Sequence, residues 1–329
     1  MAHQCVRFAL LLLLWLPAFA QEPAPPEGAP PAEAAATEAT TPQATPAPTF
    51  TPKGADTCLK CHDEDSEFPV LSIFKTKHAQ RADARTPFAG LQCEACHGPG
   101  GDHARKIRPG ATRPPILNFG SRASASAEDQ NNACLGCHEG KTRMHWASSA
   151  HARADLPCAG CHTIHATHDR VLSRSTQPEV CFDCHTQQRA ESYMAFTHPI
   201  RFGQMACNEC HAVHGSMQSA LLNRPTTNET CFGCHADKRG PFLWEHAPAT
   251  EDCTLCHRPH GSNHPALLTQ RAPLLCQQCH SQAGHPSLPF TPDGLPSGMP
   301  SGFLLVNSCA NCHSQVHGSN HPSGANLGR

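Results

Sequence analysis

The pattern Cys-x-x-Cys-His occurs ten times in this chain, and it constrains the fold more tightly than any apolar run does. The copies are Cys58, Cys61 and His62; Cys93, Cys96 and His97; Cys134, Cys137 and His138; Cys158, Cys161 and His162; Cys181, Cys184 and His185; Cys207, Cys210 and His211; Cys231, Cys234 and His235; Cys253, Cys256 and His257; Cys276, Cys279 and His280; and Cys309, Cys312 and His313. With 21 Cys and 25 His in 329 residues, chance placement gives only about 0.1 such motifs, so the repetition reflects a chemical requirement. Two cysteines three apart suit thioether formation with the two vinyl groups on one edge of a haem, and the adjacent histidine then reaches the iron as its proximal ligand. Zinc ribbons and disulfide frameworks also pair cysteines, but neither demands a histidine after every second one. Every cysteine beyond Cys5 is used by a motif.

Apart from His3 and the ten motif histidines, fourteen remain, enough for a second axial ligand on each of ten irons. They recur at repeating offsets. After the Cys181 motif comes His198, then the Cys207 motif with His214 three past His211; His246 and His260 take the same roles after Cys231, and His151 and His165 after Cys134. Looser copies supply His78 and His103 at the start and His285 and His317 at the end, giving five two-haem units. Internal alignment prefers His151 over His145 and His165 over His168, and leaves His264 and His321 to hydrogen-bond propionates or backbone. A histidine three residues past a proximal ligand cannot reach the opposite face of the same macrocycle, so His165, His214 and His260 must serve other haems. Which histidine serves which iron stays open at this level.

Leu, Ile, Val and Phe make 52 of 329 residues, below the roughly 20% at which a chain can usually build an aliphatic core. Large apolar cofactors gripped by Cys and His resolve the deficit. With 31 Pro and 23 Gly punctuating the chain, the expected fold has little regular secondary structure, with short helices and loops wrapped around an elongated stack of ten haems. Motif starts lie 22 to 26 residues apart from Cys134 to Cys276, whereas Gly98 to Ala133 and Pro286 to Ser308 interrupt the spacing and read as longer surface loops.

Residues 1–20 read as a secretory signal: Arg7, an apolar run from Phe8 to Leu16, and the small-residue end Ala18-Phe19-Ala20. The run is shorter than the roughly 20 residues a membrane-spanning helix needs. Residues 21–55 form a Pro/Ala-rich leader too poor in apolar side chains to order itself, and residues 56–329 form the haem domain. The formal charge of −2 omits two propionates per haem, and nothing in it suggests a nucleic-acid surface.

Two histidines on every iron leave no position for a substrate, so the chain reads as an electron carrier with no catalytic residue. Bis-histidine ligation lacks the thioether that raises the potential of Met/His haems, and a low-potential range is expected.

Ten motifs in five paired units, and the ending Cys309-Ala-Asn-Cys312-His313-Ser-Gln-Val-His317-Gly-Ser-Asn-His321-Pro-Ser-Gly, resemble the periplasmic decahaem cytochromes of the MtrA/DmsE/PioA type over essentially residues 56–325. The resemblance implies a periplasmic location at the outer membrane. It also implies a β-barrel porin as sheath, a periplasmic cytochrome as donor or acceptor, and an extracellular cytochrome or mineral beyond. Either metal respiration or iron oxidation fits, since electron direction is not encoded. The rival reading is a soluble periplasmic shuttle or store that feeds a terminal reductase.

Overall fold

The computed structural model describes residues 47–67, 69–280, 309–311 and 313–328. The signal at 1–20, most of the leader, His285, Cys312 and the loop 286–308 lie outside the described residues.

Each described motif is one helical turn. Its histidine amide donates to the carbonyl of the first cysteine, at 3.1 Å from His62 to Cys58 and 3.0 Å from His162 to Cys158, with the same bond in later copies. One turn suffices because residues three and four apart share a helix face, so both sulfurs and the imidazole emerge on one side. The first motif of each unit grows out of an α-helix: Ala55–Cys58, Ala127–His138, Gln177–Phe182, Thr227–Phe232 and Ala272–Gln277. From the second unit on, the second motif opens a 3-10 turn instead: Cys158–Gly160, Cys207–Glu209, Cys253–Leu255 and Cys309–Asn311. Side-chain caps start two of the α-helices, Ser126 accepting from the Asp129 amide and Thr226 from the Glu229 amide, both at 3.0 Å. Helices this short do not persist alone in water, so their stability comes from what they hold and touch.

Among the described residues there are no strands, only isolated antiparallel bridges. Two of them cross between units. Phe196 and Ser262 exchange amide bonds at 2.9 Å, and Trp244 and Ser319 exchange theirs at 2.8 Å. In both cases a residue two before one candidate ligand (His198, His246) pairs with a residue two after another (His260, His317). Glycines make the approach possible: a Cβ at Gly261 would overlap the Glu191 carbonyl, and one at Gly215, held at φ 122°, would overlap that of His145.

The protein's own core is thin. Among the described residues the buried apolar side chains include Ala55, Phe88, Trp146, Phe182 and Ala206, and they lie beside buried polar ones that include Glu94, Gln130, Asn131, Gln177 and Asn228. Those polar groups knit the motifs of a unit together. Asn131 accepts the Cys158 amide and Asn228 the Cys253 amide, both at 2.7 Å, and Gln177 accepts the Asn208 amide at 3.2 Å.

Residues ahead of the first motif pack onto the second: Thr51 donates from its amide (2.9 Å) and hydroxyl (2.8 Å) to the buried Glu94 carboxylate, which also takes the Gly100 amide at 2.7 Å. The loop from Gly98 stops at Ser126, where the cap starts the helix Ala127–His138. It also packs on a motif: the Leu117 carbonyl meets His97 Nδ1 at 2.7 Å, and Phe119 lies edge-on to the His97 ring with centroids 5.1 Å apart.

Candidate haem-binding site

One continuous cavity of about 4370 Å³ runs through the described chain, and every described motif contributes to its wall. An ordinary small-ligand pocket is roughly 300–1,000 Å³, so this one has room for many cofactors. Its lining includes the described motif cysteines from Cys58 to Cys309, all ten motif histidines, and His78, His103, His151, His165, His198, His214, His246, His260 and His317. His145, His168, His264 and His321 are not part of it.

Across this cavity the histidines face one another in pairs, each joining a motif histidine to a candidate distal one. The pairs are His62 with His103 at 6.4 Å between ring centroids, His97 with His165 at 6.0 Å, and His138 with His78 at 6.0 Å. His162 faces His214 at 6.0 Å, His185 faces His151 at 6.2 Å, and His211 faces His260 at 6.0 Å. His235 faces His198 at 6.3 Å, His257 faces His317 at 6.1 Å, and His280 faces His246 at 6.1 Å. The interplanar angle ranges from 12° to 77° while the separation barely changes. Direct ring packing would couple distance to angle; a fixed spacer would not. Two metal–nitrogen bonds of about 2.0 Å, plus roughly 1.1 Å from each nitrogen to its ring centre, give about 6.2 Å, so the residues fit a bis-histidine iron.

The pairing has a rule. The first distal histidine of a unit faces the first motif of the next unit, as His78 does His138 and His151 does His185. The second faces backwards, to the second motif of the unit before, as His165 does His97 and His214 does His162. In the first unit His103 turns instead to His62 of its own unit. None of the three histidines that follow a motif by three residues faces the motif it follows.

Burial lowers the pKa of His97, His138, His165, His214, His260 and His317, keeping them neutral and able to ligate. Hydrogen bonds at Nδ1 fix the tautomer that leaves Nε2 for a metal. The carbonyls of Val213, Pro259 and Val316 accept from His151, His198 and His246 at 2.8, 2.7 and 2.8 Å, and those of Ala220 and Ala266 from His211 and His257 at 2.7 Å each. His162 differs: its partner is the Asp169 carboxylate at 2.6 Å.

The cysteines follow an alternating scheme. Within a unit, first cysteines touch: Cys93 holds the Cys58 thiol down to about 7 by hydrogen bonding, and Cys134 and Cys181 do the same to Cys158 and Cys207. Between units the second cysteines are neighbours. Burial pushes Cys96, Cys161 and Cys256 up, and the next motif's Cys137, Cys184 and Cys279 push them further. Consecutive motifs are thus adjacent in chain order along the cavity.

Reading the sequence for ligands overlooked Asn131, Asn228, Gln177 and Asp169. The first two occupy the same register, three residues before a motif's first cysteine, and an alignment of units would have singled them out.

Three family models match parts of the chain: the doubled CXXCH motif at residues 198–240 and 246–285, the cytochrome c-type protein NrfB-like family at 93–177, and cytochrome c554 and c-prime at 31–98. The chain is 48% identical over 282 residues to the multiheme cytochrome MtrA of Shewanella baltica (strain OS185), covering 85% of this chain and 83% of that one. It is 31% identical over 147 residues to the cytochrome c-type protein NrfB of Haemophilus influenzae, covering 40% of this chain and 65% of the relative. Against the C-type polyheme cytochrome OmcB of Geobacter sulfurreducens the identity is 23% over 232 residues, 67% of this chain and 27% of that one.

Proposed function

We propose, from the premise that this chain belongs to the MtrA-type family of multihaem c-type cytochromes, electron carriers rather than enzymes, that it carries ten bis-histidine haems and relays electrons across the outer membrane inside a porin–cytochrome complex. The observation that carries the reading is the single cavity, which joins every described motif in chain order.

Haem c supplies a reversible one-electron change at its iron. The chain supplies the rest. Its twenty motif cysteines would fix the ten groups covalently, and the motif histidines His62, His97, His138, His162, His185, His211, His235, His257, His280 and His313 would hold the proximal positions. His103, His165, His78, His214, His151, His260, His198, His317 and His246 would close the distal positions of the first nine, in that order. For His313 the candidate partner is His285, which lies outside the described residues. Rings clamped at Nδ1 by backbone carbonyls cannot reorient when the charge of the site changes, and rigid ligands keep the reorganisation accompanying each electron step small.

No helix among the described residues is long and apolar enough to cross a membrane, so a chain that moves electrons through some 30 Å of hydrocarbon needs a sheath. Large closed barrels provide one. We assign the protein to the periplasm at the outer membrane, with a β-barrel porin, a periplasmic cytochrome and an extracellular cytochrome or mineral as partners.

The test is to solubilise outer membranes in mild detergent, capture a tagged copy, and look for a β-barrel protein in equal amount with the haem-stained band. Co-purification that survives salt is expected. A haem-loaded protein found only in the soluble periplasm overturns the conduit and leaves a diffusible shuttle.

A further inference from the structure

The five second motifs share a construction that one of them breaks. Nδ1 of His97, His211, His257 and His313 meets a backbone carbonyl, of Leu117, Ala220, Ala266 and Asn326, at 2.7, 2.7, 2.7 and 2.6 Å. At His162 a carboxylate takes that place, Asp169 Oδ2 at 2.6 Å. The carboxylate is well fixed: its other oxygen accepts the Thr163 and Val171 amides at 3.3 and 3.4 Å, and the side chain is 13% exposed. The substitution is visible in the repeat, since Asp169 stands four residues past His165, where His264 stands four past His260.

We propose that Asp169 sets the potential of the fourth haem, making it more reducing than the other second-motif haems of the relay. An anionic acceptor on Nδ1 draws the proton away from the ring, raises the basicity of Nε2, and so favours ferric over ferrous iron. A backbone carbonyl does this only weakly. Glu191 also approaches a ring, His260, but at 3.4 Å and as one of several charges around it, so its effect is smaller. Arg143 acts in the opposite sense near the same pair, as a positive charge close to His138 and His214; it is left in place when Asp169 alone is changed. The fourth site then holds an electron less readily than the other second-motif sites do.

The inference rests on His162 being a haem ligand, as proposed above. The experiment is a potentiometric titration of the haem-loaded protein and its Asp169→Asn variant, followed by optical and paramagnetic resonance spectra, with haem counted chemically. Asn keeps a neutral acceptor like those at the other sites. About one-tenth of the haem is expected to become easier to reduce by roughly tenfold, or 59 mV for one electron, with Asp169→Glu restoring the original value. Ten low-spin haems and superimposable titrations of wild type and D169N overturn the role of Asp169; fewer than ten, or a high-spin fraction in the wild type, overturn the ligation instead. Should D169N fail to accumulate, the wild type still decides: a low-spin ferric signal of imidazolate character amounting to one-tenth of the iron is expected, and its absence overturns the proposal.

Discussion

Replacing Asn228 with Ala tests whether a buried amide, rather than haem attachment alone, holds the two motifs of a unit together. Asn228 is 7% exposed; its oxygen accepts the Cys253 amide at 2.7 Å, and its nitrogen donates to the Ala249 and Thr250 carbonyls at 3.1 Å each. Three hydrogen bonds at about 0.5–1.5 kcal/mol net each, with the N–H of the half-buried Cys253 left unpaired, put the loss at roughly 2–4 kcal/mol. That corresponds to a change on the order of a hundredfold in the local opening equilibrium. Hydrogen exchange read by mass spectrometry on the haem-loaded protein is the assay, because it resolves one unit from the next. Amides around Cys253 should lose about two decades of protection, while those around Cys158, held by the equivalent Asn131, stay as they were. Exchange at Cys253 within about threefold of wild type would refute the reasoning, and so would an equal loss at both sites.

His246→Ala should leave attachment at every motif intact and convert one site in ten, that of His280, to a high-spin form that added imidazole restores; a protein still wholly low-spin would break the pairing. Gly261→Ala places a methyl group on the Glu191 carbonyl, and overpacking against backbone should cost about 3 kcal/mol, or roughly 6–12 °C in Tm for a domain of this size. A Tm within about 1 °C of wild type would show that the two units do not approach so closely.

The site was more legible than the fold. Covalent chemistry dictates Cys-x-x-Cys-His locally, so the motifs could be read without a three-dimensional frame, and the equal offsets of His151 and His198 came from repetition alone. What lay out of reach was long-range. That His260 faces His211 depends on how units stack, and stacking there depends on the Phe196–Ser262 bridge, which joins residues far apart in the chain. The contact of Thr51 with Glu94 was hidden for a related reason. Composition marks residues 47–55 as leader, yet a buried Glu94 needs three donors, and two of them come from Thr51. Asp169 was passed over because, as a lone acid in a loop, it has the look of a solvated charge until His162 is seen beside it.

The pairing of histidines across unit boundaries also bears on how such a protein can be made and altered. Two imidazoles cross each internal junction in opposite directions, as His151 and His214 do between the second and third units. A nascent chain released in segments therefore has an unfinished growing end until the fifth unit appears, and no earlier unit matures until its successor has emerged. The same arithmetic makes the unit the quantum of change. Deleting one motif would strand ligands on both sides, whereas inserting or removing a whole pair would hand each orphaned imidazole an equivalent partner, so a lineage of such proteins should lengthen or shorten by two haems at a time.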